Sequence, residues 1–332
     1  MIDLFSGIGG IRIAFEENGA ECVCSSEIDK YACKTYYDNF HDMPLGDVSK
    51  IGKNDLPEYD ILTGGFPCQP FSLGGLRKGF EDARGTLFFE VARLLDECKP
   101  KAFLLENVQG LVNHDKGKTL KTIEDILTNL GYSFKWKVMN AKDYGIPQNR
   151  SRWYCVGFRN DLQVKFSDDK KPSGSENDRT FYFPQKEDIK VTMRDIIENQ
   201  ADDCYAVSDL AKKNIAKYQT AYLDSHISEY PLIAYEVRAS RCSFRNDGIS
   251  PCLTAKMGTG GNNVPIVVSQ GRKLTERECL RIMGFPEWYK IAKNSSHSYK
   301  QLGNSVVVPV VSKLAKEIIN ILSKISEYDE QF

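Results

Sequence analysis

Short apolar runs that break at glycine alternate with stretches of helical period through the first half of the chain. Met1-Ile2-Asp3-Leu4-Phe5 predicts a short strand, Ser6-Gly7-Ile8-Gly9-Gly10 a glycine turn, and Ile11 to Asn18 a helix closed by Gly19. A second strand is expected over Ala20 to Ser25, a helix over Lys30 to Asn39, and a buried strand over Tyr59 to Thr63 that breaks at Gly64-Gly65. Leu87 to Cys98 places Leu87, Phe88, Val91, Leu94 and Leu95 on one helical face. After Pro100 come a strand over Ala102 to Leu105, a helix over Lys118 to Leu130 capped by Gly131, an alternating strand with Phe134, Trp136 and Val138, and a strand over Trp153 to Phe158. This alternation predicts an α/β sheet with helices on both faces.

The pattern then changes. Asp168 to Arg179 is polar and linker-like, with Pro172 and Gly174, and from Phe181 to about Gln270 the alternation is lost. That stretch is expected to be a smaller, irregular, mainly β insert. Leu274 to Met283 reads as a helix capped by Gly284. A last amphipathic helix runs from Pro309 with Val310, Val311, Leu314, Ile318, Leu322 and Ile325 on its stripe, so the chain is expected to return and complete the first domain. The expected domains are 1–180, completed by 300–332, and 181–299.

Composition adds bounds. The 332 residues, 41% hydrophobic and 27% charged, suffice for one large domain and a smaller one. The net charge of −1 means that any nucleic-acid contact must come from a local basic surface. The ten cysteines are scattered without paired CxxC knuckles, so no zinc site is expected, and they fit a reducing cytoplasm. No signal peptide or membrane-spanning run stands out; the longest apolar stretch, Val306 to Val311, is short and contains Pro309.

Candidate chemistry gathers where predicted strands end. The opening strand, glycine turn and helix resemble the start of a nucleotide-binding unit. Its spacing is GxGG rather than GxGxxG, so the dinucleotide fingerprint is not met. Glu27, at the end of the second strand, is positioned for ribose hydroxyls, although an N-cap carboxylate is the plainer reading and suits Asp29 better. Asp47 adds a third loop acid. Pro67-Cys68-Gln69-Pro70 holds a thiol between two prolines just past a strand; alone it reads more plainly as a buried structural cysteine. Glu106 ends another strand. Arg150 and Arg152 alternate, placing both guanidiniums on one face, suited to phosphates or carboxylates. Gly74 to Phe80 has the composition of a closing loop, and Arg238, Arg241 and Arg245 cluster in the insert ahead of a polar loop from Thr254 to Asn263.

Together, in order and nearly end to end, these residues resemble the cytosine-5 DNA methyltransferases of the bacterial restriction-modification kind. The resemblance is carried by Asp3 to Gly10, Glu27, Asp47, Pro67-Cys68-Gln69, Glu106-Asn107-Val108, Gln148-Asn149-Arg150-Ser151-Arg152, the Arg272 to Pro286 segment and Gly303-Asn304-Ser305-Val306. It implies a Rossmann-like S-adenosylmethionine-dependent methyltransferase sheet, with 181–299 as target-recognition domain and hinge. It implies Cys68 as nucleophile on C6 of a flipped cytosine, Glu106 at N3, and Arg150 and Arg152 at the base's O2 and backbone. Phe5, Ser6, Gly7, Gly9, Glu27, Ile28, Asp47, Val48, Pro67, Leu87, Asn304 and Ser305 are implied to hold S-adenosylmethionine, leaving S-adenosylhomocysteine as product. DNA contacts are assigned to Gln69, Ser72, Arg77, Lys78, Arg238, Arg241, Arg245, Thr254 and Lys256.

Two departures stand out. Ile28 occupies a place where some relatives carry an aromatic against adenine, which implies weaker stacking. Met1 stands two positions before Asp3, so the family's leading extension is expected to be absent or removed, loosening the first strand. The resemblance further implies double-stranded DNA as substrate, a functional restriction-endonuclease partner without a stable complex, a monomer, no membrane association and a prokaryotic cytoplasm, on the nucleoid. The nearest rival is an RNA (tRNA) cytosine-5 methyltransferase on the same scaffold; its relatives usually carry Thr where this chain has Ser72. A silent DNA-binding member fits poorly with the presence of Cys68, Glu106 and both arginines.

Overall fold

Six strands make the main sheet, and their order explains where chemistry can sit. The computed structural model describes residues 1–67, 87–169, 179–259, 263–293 and 295–329, the side chains of 327–329 excepted. Strands β1 (Ile2–Leu4), β2 (Cys24–Ser26), β3 (Ile61–Gly65), β4 (Ala102–Val108), β5 (Tyr132–Asn140) and β6 (Ser151–Arg159) assemble as β2-β1-β3-β4-β6-β5. The first four are parallel, and β6 runs against both β4 and β5. The reversed strand therefore begins at the edge where the parallel strands end.

Side-chain alternation sorts the two faces. Phe103, Leu105, Trp153 and Cys155 point into a core shared with α3 (Leu87–Cys98) and α4 (Lys118–Asn129). Leu104, Tyr154, Val156 and Phe158 point into the opposite core, with Ala14 and Phe15 of α1 (Gly10–Glu16) and Val311, Leu314 and Ile318 of α9 (Val308–Asp329). Helix α2 (Lys30–Phe40) is capped by Asp29, whose carboxylate accepts from the Tyr31 and Ala32 amides. The helices thus cover both faces, as expected, and α9 closes the first unit. Among the described residues, no helix is long and apolar enough to cross a membrane.

Two boundaries shift for physical reasons. The second strand begins at Cys24 rather than Ala20, because its partner β1 offers three residues to pair with. Beyond β7 (Lys165–Ser167), β8 (Thr180–Tyr182) and α5 (Met193–Ile196), the insert carries helix α6 (Asp209–Leu223), which its mainly β expectation did not include. That helix buries only Ala211 and Ile215, too sparse an apolar stripe to announce itself, and is started by the Ser208 hydroxyl. It packs on a second sheet of β9 (Ile233–Tyr235), β10 (Ser243–Arg245), β11 (Ile266–Val267) and β12 (Arg272–Lys273), ordered β10-β9-β11-β12, through Val207, Ala234, Phe244 and Ile266.

The insert is not insulated from the first core. Helix α7 (Glu276–Met283) starts at a capping box on Thr275, and Leu280, Ile282 and Met283 lie in the same apolar cluster as Ala14, Val156 and Leu314. Arg272 and Glu278, both buried, form a bidentate pair, and Glu278 also accepts from the Glu198 and Thr275 amides. Helix α8 (Ser296–Asn304) then lies against the turn at Ala255–Gly258. At Gly303 a Cβ would come within 2.0 Å of the Thr254 carbonyl carbon, so only glycine admits this approach.

Candidate active site

The carboxyl ends of β1 to β4 and the start of β6 surround a cavity of 380 Å3. This is the edge of an open α/β sheet where ligands sit, and the volume is that of a small-molecule site. The turn after β1 supplies Phe5, Ser6 and Gly7; β2 leads to Glu27 and Ile28; β3 to Phe66 and Pro67; β4 supplies Glu106; and the start of β6 supplies Arg150 and Arg152. Leu87 comes from α3, and Asn304 and Ser305 from the end of α8.

The polar groups divide into fixed and unspent ones. Glu27 accepts from the Gly7 amide through one oxygen and from the Ile28 and Asp29 amides through the other, so its carboxylate ties the β1 turn to the β2 turn. The buried Ser6 hydroxyl has no hydrogen-bond partner among the described residues. Ile28 is 71% exposed at the rim, an apolar face without cover. A ligand with one polar and one flat apolar end satisfies both.

On the opposite side, Gly65 of β3 pairs in register with Glu106, and Val108 with Arg152. Arg152 Nε lies 3.1 Å from Glu106 Oε1, both side chains nearly buried. Burial pushes the Glu106 carboxyl up from the ordinary range, against the opposite pull of Arg152 and Arg150. Arg150, 2% exposed, donates to the carbonyls of Leu253, Gly303 and Ser305 at 2.5–3.0 Å, and its Nε has no partner among the described residues. Its guanidinium joins three chain segments beneath the cavity, a role that period-two alternation could not show. Asn107 donates to the Phe66 carbonyl at 2.8 Å and so fixes the backbone leading to Pro67 and Cys68.

Of the expected donor-site residues, Gly9, Asp47 and Val48 are not in the lining. Gly9 starts α1 with φ +79° beneath the Phe40 ring, which a Cβ would strike at 2.3 Å. Asp47 caps a turn through the Ser49 amide, and Val48 is buried in the core. Cys68, Gln69, Ser72, Arg77, Lys78 and the Gly74 to Phe80 loop lie outside the described residues. In the insert, Arg245 grips Asp247 through two nitrogens, Arg241 pairs with Glu236, and Arg238 donates to Asn263. Thr254 and Lys256 are exposed at the turn beneath α8. Lys300 and Asn107, which line the cavity, were not singled out: Asn107 lay within a noted motif, but Lys300 has no sequence signal.

Behind the cavity, Asp3 is wholly buried between β2 and β3, with one oxygen on the Thr63 hydroxyl and the other unpartnered. Burial raises its pKa to about 7. Between the unfolded value of 3.8 and 7 the native state holds a proton that the unfolded chain has lost. Stability from this group is complete below the lower value and falls by roughly 1.4 kcal/mol per pH unit as pH rises toward the upper one. Asp3→Asn is expected to remove that slope, so its melting temperature gains on the wild type between pH 5 and pH 8. Parallel melting curves across this range would refute it.

The cavity's place in the sheet and its paired carboxyl and guanidinium define an α/β group-transfer site. Comparison with known proteins specifies it: the family described as C-5 cytosine-specific DNA methylase matches residues 1–320, and the chain belongs to that family. It is 39% identical over 322 residues to the Type II methyltransferase M.HhaI of Haemophilus parahaemolyticus, covering 96% of this chain and 93% of that protein. It is 41% identical over 328 residues to M.SsoII of Shigella sonnei, covering 97% and 80%. Among solved structures, a putative DNA modification methyltransferase encoded within an E. coli prophage superposes with TM-score 0.69 at 25% identity over 97% of this chain and 99% of that one. A Spodoptera frugiperda DNMT2 mutant shares the fold with TM-score 0.68 at 23% identity, over 96% and 99%. The enzyme is a DNA (cytosine-5-)-methyltransferase.

Proposed function

We propose that the chain uses S-adenosylmethionine to methylate C5 of a cytosine flipped out of a short, specific duplex sequence, as the protective half of a restriction-modification system. The observation that carries the reading is the nearly buried Glu106–Arg152 pair at the cavity wall, in a member of the cytosine-5 family. The unpartnered Ser6 hydroxyl and uncovered Ile28 face fit the polar and flat ends of the donor. S-adenosylmethionine supplies an electrophilic methyl on its sulfonium and leaves as S-adenosylhomocysteine. Phe5, Ser6, Gly7, Glu27, Ile28, Pro67, Leu87, Asn304 and Ser305, which line the cavity, would hold it, with Gly9, Asp47 and Val48 of the same assignment outside the lining.

Cytosine C5 is a poor nucleophile, and the chain's residues correct that. The Cys68 thiolate adds to C6 while Glu106 gives its proton to N3, which turns the ring into an enamine whose C5 takes the methyl. Loss of the C5 proton to a base then restores the C5–C6 double bond and expels Cys68 as thiolate, while N3 returns its proton to Glu106. A thiol with a free pKa of about 8.5 is mostly protonated at neutral pH, and Arg152, in the cavity lining, is the cation assigned to favour the Cys68 thiolate. Arg152 also serves the base's O2. Arg150, whose donors are spent on carbonyls apart from Nε, acts mainly by positioning.

The insert over 181–299 would read sequence in the major groove. Arg238 and Arg241, exposed and weakly held, suit base edges; Arg245, clamped to Asp247, suits shaping the loop. The chain would act as a monomer on double-stranded DNA in a prokaryotic cell. Bisulfite sequencing of unmethylated plasmid after incubation with the protein and donor tests the reading. Protection of cytosines in one recurring short context is the expected result. Uniform conversion overturns it and turns attention to tRNA with the same donor.

A further inference from the structure

The wall of the donor cavity between α2 and α8 is polar and thin. Residues 31, 35 and 39 form one stripe of α2, spaced a turn apart, and each meets the C-terminal segment. The Tyr31 ring stacks on His297 at 3.6 Å, the Thr35 hydroxyl meets Gln301 Oε1 at 3.1 Å, and the Asn39 side chain exchanges two hydrogen bonds with the Lys290 backbone. Two residues before Tyr31, at the helix cap, Asp29 Oδ2 receives Lys300 Nζ at 3.1 Å, joining residues that both line the cavity. With 32% and 44% of their side chains exposed, this pair sits at the rim rather than the floor.

On the outer side of the same seam lies a second concavity, lined by Tyr31, Thr35, His297, Ser298 and Gln301; Gln301 lines both spaces. A single layer of side chains therefore separates the donor cavity from solvent here. Tyr36 of α2 faces away from this seam into the core, so the seam opens without exposing it, whereas Ala32 lines the donor cavity. The Thr35–Gln301 contact is buried, but the Tyr31–His297 stack and the Asp29–Lys300 pair at the rim are exposed or partly so, and contacts of that kind belong to the low-stability part of a fold.

We propose that this seam is the gate through which the methyl donor enters and its product leaves, and that the Asp29–Lys300 ion pair is its latch. Both are positioning residues: they touch neither C5 nor the transferred methyl. The proposal rests on the donor assignment made above. It places the exchange route between α2 and α8, away from the Glu106–Arg152 side where the base must come.

The test is the dissociation rate of S-adenosylhomocysteine from the full-length protein, followed by stopped-flow displacement, in Lys300→Gln, Asp29→Asn and the double variant. Asparagine is a good helix cap, so Asp29→Asn keeps α2 started while removing the charge. The expected result is a rise of about fivefold in each single variant, the equivalent of roughly 1 kcal/mol, with the double variant no faster than the singles. High salt should speed release from the wild type and leave the double variant unchanged. Duplex DNA affinity should stay as in the wild type. Release rates unchanged in both single variants, with wild-type binding intact, overturn the gate alone. A wild-type protein that takes up no S-adenosylhomocysteine overturns the donor assignment and the gate with it.

Discussion

Replacing Glu106 with glutamine is expected to lower the rate of methyl transfer by about 10²- to 10⁴-fold, the usual contribution of a positioned proton donor. The substitution preserves shape and leaves an acceptor for Arg152 Nε, which now lies 3.1 Å from the carboxylate. What it removes is the carboxyl's capacity to carry and give up a proton. Burial raises this carboxyl's affinity for a proton, while the adjacent Arg152 prevents the shift from running away. A glutamine cannot protonate N3 as the thiolate adds, so the ring is not activated at C5. Single-turnover transfer of a labelled methyl group measures the loss. Binding of S-adenosylhomocysteine and duplex DNA should hold, which separates a chemical defect from a misfolded site. A variant within tenfold of the wild type would remove Glu106 from the mechanism.

Arg150→Met carries the second large expectation, and it falls on stability. The methionine fills most of the volume but leaves the Leu253, Gly303 and Ser305 carbonyls without their shared donor in a buried place. Each stranded buried carbonyl costs about 1–3 kcal/mol, and breaking a buried charged cluster about 3–5 kcal/mol in total. The burial that lowers the guanidinium's own pKa offsets part of the loss, since that cation also leaves water to reach its place. The expected outcome is a clear fall in melting temperature, accompanied by weaker S-adenosylhomocysteine binding because Ser305 lines the cavity. Arg150→Lys, with donors but no fork, should lie between the two. Melting of Arg150→Met within two degrees or so of the wild type would show that the strut carries little load.

What could be read from the residues alone follows the range of the interactions involved. Leu87–Cys98 was legible to the residue because its apolar positions recur at helical spacing and a proline follows. The sheet's parallel part was legible from strand, turn and helix in succession. Helix α6 was not, because two buried positions in fifteen residues leave no period to detect. The edge of the site was visible in Glu106, Arg150 and Arg152, since strand ends and period-two alternation are local facts. Their partners were not. The carbonyls that receive Arg150 lie 103 to 155 residues away and carry no mark in the sequence. The same holds for Asp29 and Lys300, 271 residues apart. Asp47, in a noted motif, also caps a turn by accepting from the Ser49 amide, a contact local to its own loop.

The Arg150 cluster has one more consequence. Leu253 belongs to the half of the chain proposed to read DNA, and Gly303 and Ser305 to the segment against the donor cavity, yet one cation holds all three. Any displacement of the first on DNA binding must be shared with the other two. The two ligands are then energetically linked, and linkage is reciprocal: whatever factor DNA adds to the affinity for the donor, the donor returns to the affinity for DNA.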